Sequence, residues 1–523
     1  MDNSLLTIIL FAPSIAAVIT LLLPKDSTKL IRTWALIASL VPLAFALVAW
    51  FGFEGAAVDA NGFKYVVNTP WYQEIGSYFH LGMDGLSLTM VLLTTLLTPL
   101  AVLASFGIKE NVRMYMALFL FLETGMLGVF LSLDLLLFFV FWEIGLVPMY
   151  FLINQWGSPK GERELWNGMK VSSRTYASFK FMIYTMAGSL GLLLGIQMLG
   201  VVFKSFDLPL IIQQWNALGG DVEILGGFTT VATAKSVAFW AFTIAFALKV
   251  PIWPFHTWLP DAHTEAPTAG SMILAGVLLK LGAFGFLRFV LPLYPEQAKA
   301  GANVLAGLAT AAIIFGAFAA FGQRDFKRLV AYSSVNHMGF VVLGIAAAAK
   351  AIGTESATIA LNGAVLQMFN HGLSAAGMFF LVGVVYDRIH TRNLDEMGGY
   401  FPLVPVYGGI LIFTSMASLG LPGLNGFVSE FLVVRGAWPI FTGWTALSML
   451  GLLFTGAYIL KGISESLHGP LDETHSHHLT EINKREIAVI APLMVLMLWL
   501  GVWPSWLLDV IDKAMMALQS AIG

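Results

Sequence analysis

The chain has 523 residues, 58% hydrophobic and only 11% charged, with a formal net charge of −3 and a mean hydropathy of +0.79. Soluble domains carry about 25% charged residues, so a water-facing globule is excluded, and so small a net charge argues against nucleic acid or another polyanion as partner. Cysteine is absent, which removes disulfides, thiolate-held iron–sulfur clusters and cysteine nucleophiles.

A membrane crossing needs about 20 apolar residues. Apolar runs between charged or Gly/Pro punctuation predict an all-α polytopic membrane protein with spans near 3–23, 30–51, 84–106, 113–132, 134–154, 176–200 and 233–260. Further spans fall near 268–291, 301–321, 328–348, 358–386, 405–435, 440–464 and 486–508. The runs are continuous rather than alternating, which rules out barrel strands. Basic residues follow the first span rather than precede it, unlike a secretion signal. The stretch 52–82 reads as an aromatic-rich loop at the outer interface, and 201–227 as a second, Gly-rich outer connection.

Loops after odd-numbered spans hold 18 Lys and Arg, against 6 after even-numbered spans. That bias places both termini on the non-cytoplasmic side. The loop 467–484 carries His468, His475, His477 and His478; a solvated cytoplasmic loop accounts for them better than a metal site.

A charge at the bilayer centre costs about 2.5–3.5 kcal/mol on insertion scales, so such residues face the bundle or a wet cavity. Glu123 and Glu143 lie ten residues either side of the turn at Leu133, each about 15 Å from it at 1.5 Å per residue. Lys249 lies fifteen residues before Thr264 and Lys280 fifteen after Glu265. Two lysines therefore share a depth with two glutamates. Structural ion pairs would account for some of these, but four exceed what holding helices together requires.

His337 and His371 fall inside spans 10 and 11. They read as a proton relay, as hydrogen-bonded polar residues, or as axial haem ligands. Glu430 follows Leu421-Pro422-Gly423-Leu424-Asn425-Gly426, and Lys249 precedes Pro251 and Pro254. Pro and Gly at these places predict broken helices in spans 7 and 12, each beside an intramembrane charge, which is the pattern of an inverted-repeat transporter.

The run from Lys249 through His256, Asp261 and His263 to Glu265, together with Phe141-Trp142-Glu143, resembles the signature of the antiporter-like, proton-pumping subunits of respiratory complex I. So do Ser334-Val335-Asn336-His337-Met338-Gly339, Asn370-His371-Gly372-Leu373-Ser374-Ala375 and the run from Leu421 to Phe431. Glu430, at a position where the sibling subunits carry lysine, resembles the subunit M, or chain 4, branch. The resemblance covers nearly the whole chain.

The resemblance implies about fourteen helices, with three N-terminal helices in 1–110 and a first repeat of helices 4–8 in 113–291. A second, inverted repeat of helices 9–13 follows in 301–467, then helix 14 and a tail in 486–523. It also implies a bacterial inner-membrane subunit of NADH:quinone oxidoreductase, without a cofactor of its own. FMN, iron–sulfur clusters and quinone belong to other subunits; sibling antiporter-like and other membrane-arm subunits, and membrane lipid, are the partners. Glu143, Lys249, Lys280, His337 and Glu430 form the expected relay, with Glu123, His256, His263 and His371 in secondary places. In that relay Glu143 holds the proton of Lys249, which passes by His337 toward Lys280, with Glu430 as the outermost acceptor. A subunit of a cation/proton antiporter or a membrane-bound hydrogenase is the nearest alternative; a haem-bearing electron carrier and a structural scaffold are others.

Overall fold

The computed structural model describes residues 2–522 apart from 166 and 472–476. Thirteen helical stretches among them are long and apolar enough to cross a membrane. Helices prevail because a backbone in lipid must satisfy its own N–H and C=O groups.

In chain order, α1 (Asp2–Leu22) and α2 (Thr28–Gly52) precede a β-hairpin of β1 (Lys64–Tyr72) and β2 (Ser77–Met83). The stretch 52–82, expected as a plain loop, thus carries paired strands with Val67 opposite Leu81 and Thr69 opposite Phe79. Next come α3 (Gly85–Ala104), α4 (Val112–Leu131), α5 (Leu135–Ile144) and α6 (Leu146–Trp156). The last two form one crossing, interrupted at Gly145. Pro148 explains the break: it lacks the N–H that Ile144 C=O needs, and its ring crowds that carbonyl.

A small hairpin of β3 (Glu162–Glu164) and β4 (Lys170–Ser172) leads to α7 (Ser173–Phe203). The connection expected at 201–227 contains α8 (Leu208–Ala217) and β5 (Glu223–Ile224), which pairs with β6 (Thr229–Thr230). Then α9 (Val231–Lys249) stops at the prolines as expected, and α10 (Trp258–Glu265) resumes.

The eighth crossing is irregular. It comprises α11 (Thr268–Ile273), a π-helical turn Leu274–Leu278, α12 (Leu279–Gly285), a second π turn Phe286–Val290 and α13 (Leu291–Leu293). Long α14 (Pro295–Phe321), α15 (Phe326–Lys350) and α16 (Glu355–Ile389) follow. A broken crossing, α17 (Pro405–Leu419) and α18 (Asn425–Ala437), precedes α19 (Thr442–Leu467) and α20 (Lys484–Val502). The expected C-terminal tail is instead a helix, α21 (Ser505–Ile522).

The eighth crossing, α15 and α16 are buried almost all round, which marks them as the centre of the molecule. Lys327, at the start of α15, is buried there rather than lying in a loop. At the rim, α2, α7 and α19 expose apolar side chains such as Leu194 and Leu453, the surface expected against hydrocarbon. Aspartates close the helix starts: Asp84 accepts from Ser87 N at 2.8 Å and Asp134 from Leu136 N and Leu137 N at 2.9 Å. Asp134 also accepts from Tyr78 N at 2.9 Å, and His80 meets Asp207 at 2.7 Å. The β1–β2 hairpin is thereby tied to the starts of α5 and α8.

Candidate functional site

Lys280 lies in α12, between the two π turns. Its amine donates to the Ala275 carbonyl of the first turn and to His371 Nδ1 at 2.7 Å. Single π turns recur at functional sites because they displace the regular ladder. A protonated Lys280 only donates, so His371 Nδ1 is then the acceptor. The contact depends on Gly372: a Cβ there would stand 2.9 Å from the Gly276 carbonyl oxygen and 2.8 Å from Leu93. Only glycine lets α16 lie this close to the π turn.

The ring of His371 then meets that of His337, on α15, with centroids 5.7 Å apart and planes at 45°. His337 Nδ1 lies 2.8 Å from Glu430 Oε1, and its Nε2 lies 3.2 Å from the Tyr458 hydroxyl. Glu430 Oε1 also accepts from Gln367 Nε2 at 3.1 Å. The break before α18 is held by Asn370, which donates to Asn425 O at 2.7 Å and to Ser429 Oγ at 3.0 Å. Asn425 Nδ2 donates back to Asn370 O at 3.1 Å. Four helical segments thus bring Lys280, His371, His337 and Glu430 into one line, none more than 4% exposed.

Two hydrogen-bonded pairs, Lys280–His371 and His337–Glu430, are separated by one ring contact. No hydrogen bond joins the two imidazoles among the described residues. Both ring nitrogens of His337 are engaged, by Glu430 and by Tyr458, which leaves it no nitrogen for a haem iron.

Lys249 ends α9 and is also buried. Its Nζ lies 5.0 Å from the Trp142 ring centroid and 5.9 Å from that of Phe181, and makes no hydrogen bond. Trp142 is pinned by its Nε1–H to Ser189 Oγ at 3.0 Å. Glu143 Oε1 is buried without a hydrogen bond, and no ion pair within 4.0 Å joins it to Lys249. The expected Glu143–Lys249 pair is therefore not closed in this conformation. Lys249 and Lys280 do sit on touching helices, because a Cβ at Gly282 would stand 2.7 Å from Phe246 O on α9.

Glu123 is fully buried on α4 with neither carboxylate oxygen hydrogen-bonded. His256 lies edge-on to Tyr332 at 6.0 Å, and His263 stacks on Phe379 at 4.3 Å and 6°. The end of α10 is held by cations from elsewhere. Lys327 donates to Ala266 O, Arg392 to Thr264 O, and Asp261 meets Lys180 at 2.7 Å and both Arg163 and Arg328 at 3.3 Å. Glu265, Lys327, Asp387 and Arg392 line a cavity of about 380 Å³ at this end.

Among the described residues no group of three or more His, Asp or Glu is arranged to hold a metal, and His475 lies outside them. The sequence-based relay runs from Lys249 by His337 to Lys280 and gives His371 a secondary place. The structure puts His371 next to Lys280 and His337 beyond it. Tyr458 and Gln367 were missed altogether. Gln367 stands one helical turn before His371, a spacing that sets both on one face, whereas nothing local marks Tyr458.

Residues 6–133 match the profile of a family described as NADH-ubiquinone oxidoreductase chain 4, amino terminus, and residues 132–456 that of NADH:quinone oxidoreductase/Mrp antiporter, TM. The chain is 37% identical to the NADH-quinone oxidoreductase subunit M of Rhodobacter capsulatus, over 98% of this chain and 96% of that one. To the protein of the same name in Pseudomonas aeruginosa it is 39% identical, over 95% and 94% of the two chains. It is similar to a chain in the structure of respiratory complex I from Thermus thermophilus with bound NADH, with a TM-score of 0.83 at 25% identity, covering 100% of both chains. A chain of the Mrp complex from Dietzia sp. shares the fold, with a TM-score of 0.79 at 24% identity, over 98% of this chain and 52% of that one.

Proposed function

This chain belongs to the chain 4, or subunit M, family of NADH-quinone oxidoreductases, and from that premise we propose that its buried Lys–His–His–Glu line carries protons across the membrane. NADH oxidation and quinone reduction take place in other subunits, and this chain works among sibling antiporter-like subunits of a bacterial respiratory membrane, without a redox group of its own. The observation that supports this reading is the line itself: Lys280, His371, His337 and Glu430 within hydrogen-bond or ring contact.

Each member gains or loses a proton without leaving its helix. Lys280 hands a proton to His371 Nδ1, to which it already donates. The ring contact between His371 and His337 is the gate, crossed when an imidazole turns or a water bridges the rings. His337 then delivers to Glu430. Lys249 takes up a proton when the Glu143 carboxylate moves toward it, and passes it to the line when Glu143 withdraws. Moving one charge against 100 mV costs about 2.3 kcal/mol, the scale of one charge-assisted hydrogen bond at about 1.5–3 kcal/mol. Breaking and remaking one such contact per step therefore suffices. The broken crossings α9–α10 and α17–α18 are corresponding parts of two inverted repeats, 113–291 and 301–467, and both termini lie on the non-cytoplasmic side.

The test is a His371→Leu variant in the whole complex, reconstituted in vesicles, with NADH:quinone turnover and proton uptake measured at matched flavin and iron–sulfur content. Both activities fall together, to about a tenth or less. Unchanged pumping would remove the line from the proton path. Sodium rather than proton movement in the same vesicles would assign the chain to cation/proton antiport instead.

A further inference from the structure

Away from the Lys–His line, where α2 ends and α3 begins, a cavity of about 550 Å³ lies between the loop before β1, α8 and α21. Its lining joins apolar side chains, among them Leu208, Ile212, Ala514, Ala517 and Leu518, to the charged Lys64, Asp84 and Arg288.

Arg288, 8% exposed, donates from Nη2 to Asp84 Oδ1 at 2.6 Å and to Ser87 Oγ at 3.1 Å. Its Nε and Nη1 make no hydrogen bond among the described residues and are not sealed within the protein. The guanidinium is steadied by the rings of Phe63 and Phe284, at 5.1 and 5.2 Å. Asp84 balances Arg288, and Glu54 balances Lys513 at 2.6 Å. Lys64 donates only to the Phe53 carbonyl and has no carboxylate within 4.0 Å among the described residues. The lining therefore carries one positive charge in excess.

Spare guanidinium donors and an unbalanced ammonium in a lining with apolar side chains suit a molecule that joins anionic oxygens to hydrocarbon. The volume fits a ligand of drug or single-chain size. The reservoir adjoins the mouth, since Val48 and Phe51 of α2 are 60% and 82% exposed, apolar surface that hydrocarbon covers. We propose that an anionic phospholipid of the adjoining leaflet seats one acyl chain in this cavity, with its phosphate at Lys64 and Arg288, and so holds α21 against the bundle. This site is independent of the proton-carrying role.

The test uses the whole complex in vesicles with phosphatidylglycerol carrying a photoreactive acyl chain, against phosphatidylcholine with the same chain. Phosphatidylglycerol labels α21 and the segment around Lys64. Ala517→Trp, which fills the cavity from an exposed position, abolishes that labelling. Lys64→Gln lowers it about tenfold, the loss of one charge-assisted contact. Equal labelling by the two lipids, or labelling unchanged in Ala517→Trp, would reduce the cavity to ordinary bilayer contact and overturn the proposal. Cross-links from Ala517 to a neighbouring protein subunit in place of lipid would overturn it as well.

Discussion

Glu430 differs in kind from Lys280: when loaded it is neutral and when empty it is anionic, whereas the lysine is cationic when loaded. Its Oε1 already receives His337 and Gln367, so Glu430→Gln keeps a side chain of the same shape and removes only the ability to release a proton. Both pumping and quinone reduction are expected to fall as far in Glu430→Gln as in Glu430→Ala, in membranes with matched assembly. Full activity in the glutamine variant would make Glu430 a structural carboxylate. Glu143 makes a second case. It follows Trp142, whose ring lies 5.0 Å from Lys249 Nζ, and its work depends on reach and charge. Glu143→Ala should lower turnover and pumping together, and Glu143→Asp less so, because the charge is kept. Unaltered rates in Glu143→Ala would take that residue off the path. Lys280 and Glu430 are conspicuous in the sequence, since charge in an apolar run stands out. The sequence did not show the order of the site's members, because Lys280 and His371 are 91 residues apart and only packing makes them neighbours.

The helices show where such contacts come from. Breaks at Pro251 and at Pro422-Gly423 were legible, because proline lacks an N–H and glycine tolerates the left-handed turn taken at Gly420 and Gly423, with φ +82 and +94. The break at Gly145 was not read, although Pro148 signalled it. The π turns around Lys280 carry no comparable sequence mark. Gly372 joins these elements, and Gly372→Val should drive α16 away from the π turn. Overpacking of this kind costs about 1–3 kcal/mol, enough to leave an assembled but weakly active complex. The measurement is turnover at matched cofactor content, with Gly409→Val, in open space on α17, as the control that should change little. Equal loss in the two variants would detach the close approach from activity.

Across the whole molecule, α21 is tied back to the end of α2 by the exposed Lys513–Glu54 pair. The hydrogen bond and charge of Lys513 hold the Glu54 carboxyl below its ordinary value. A depressed carboxylate adds stability above its unfolded pKa and loses it as pH falls through the folded one. Hydrogen-exchange protection along α21, taken relative to the intrinsic rate at each pH, should therefore stay level from neutral pH down to the ordinary carboxylate range and fall below it. Glu54→Gln should remove that step and change little at neutral pH, since exposed pairs contribute weakly. A step of the same size in Glu54→Gln would assign it to another group.

Composition and the length of apolar runs establish the membrane class and the helical fold, because lipid permits few backbone solutions and such runs have a readable length. The family resemblance was carried by short runs around intramembrane charges, which local sequence displays in full. What tertiary structure decided is which of those charges meet. His371 joins Lys280 through a glycine-sized gap, His337 joins Glu430 across two helices, and Lys249 meets the Trp142 ring rather than the Glu143 carboxylate. Paired strands in 64–83 and a helix in place of the tail likewise depend on partners far along the chain. Pairing across sequence distance is set by packing and shape complementarity, and neither is written in any local stretch of residues.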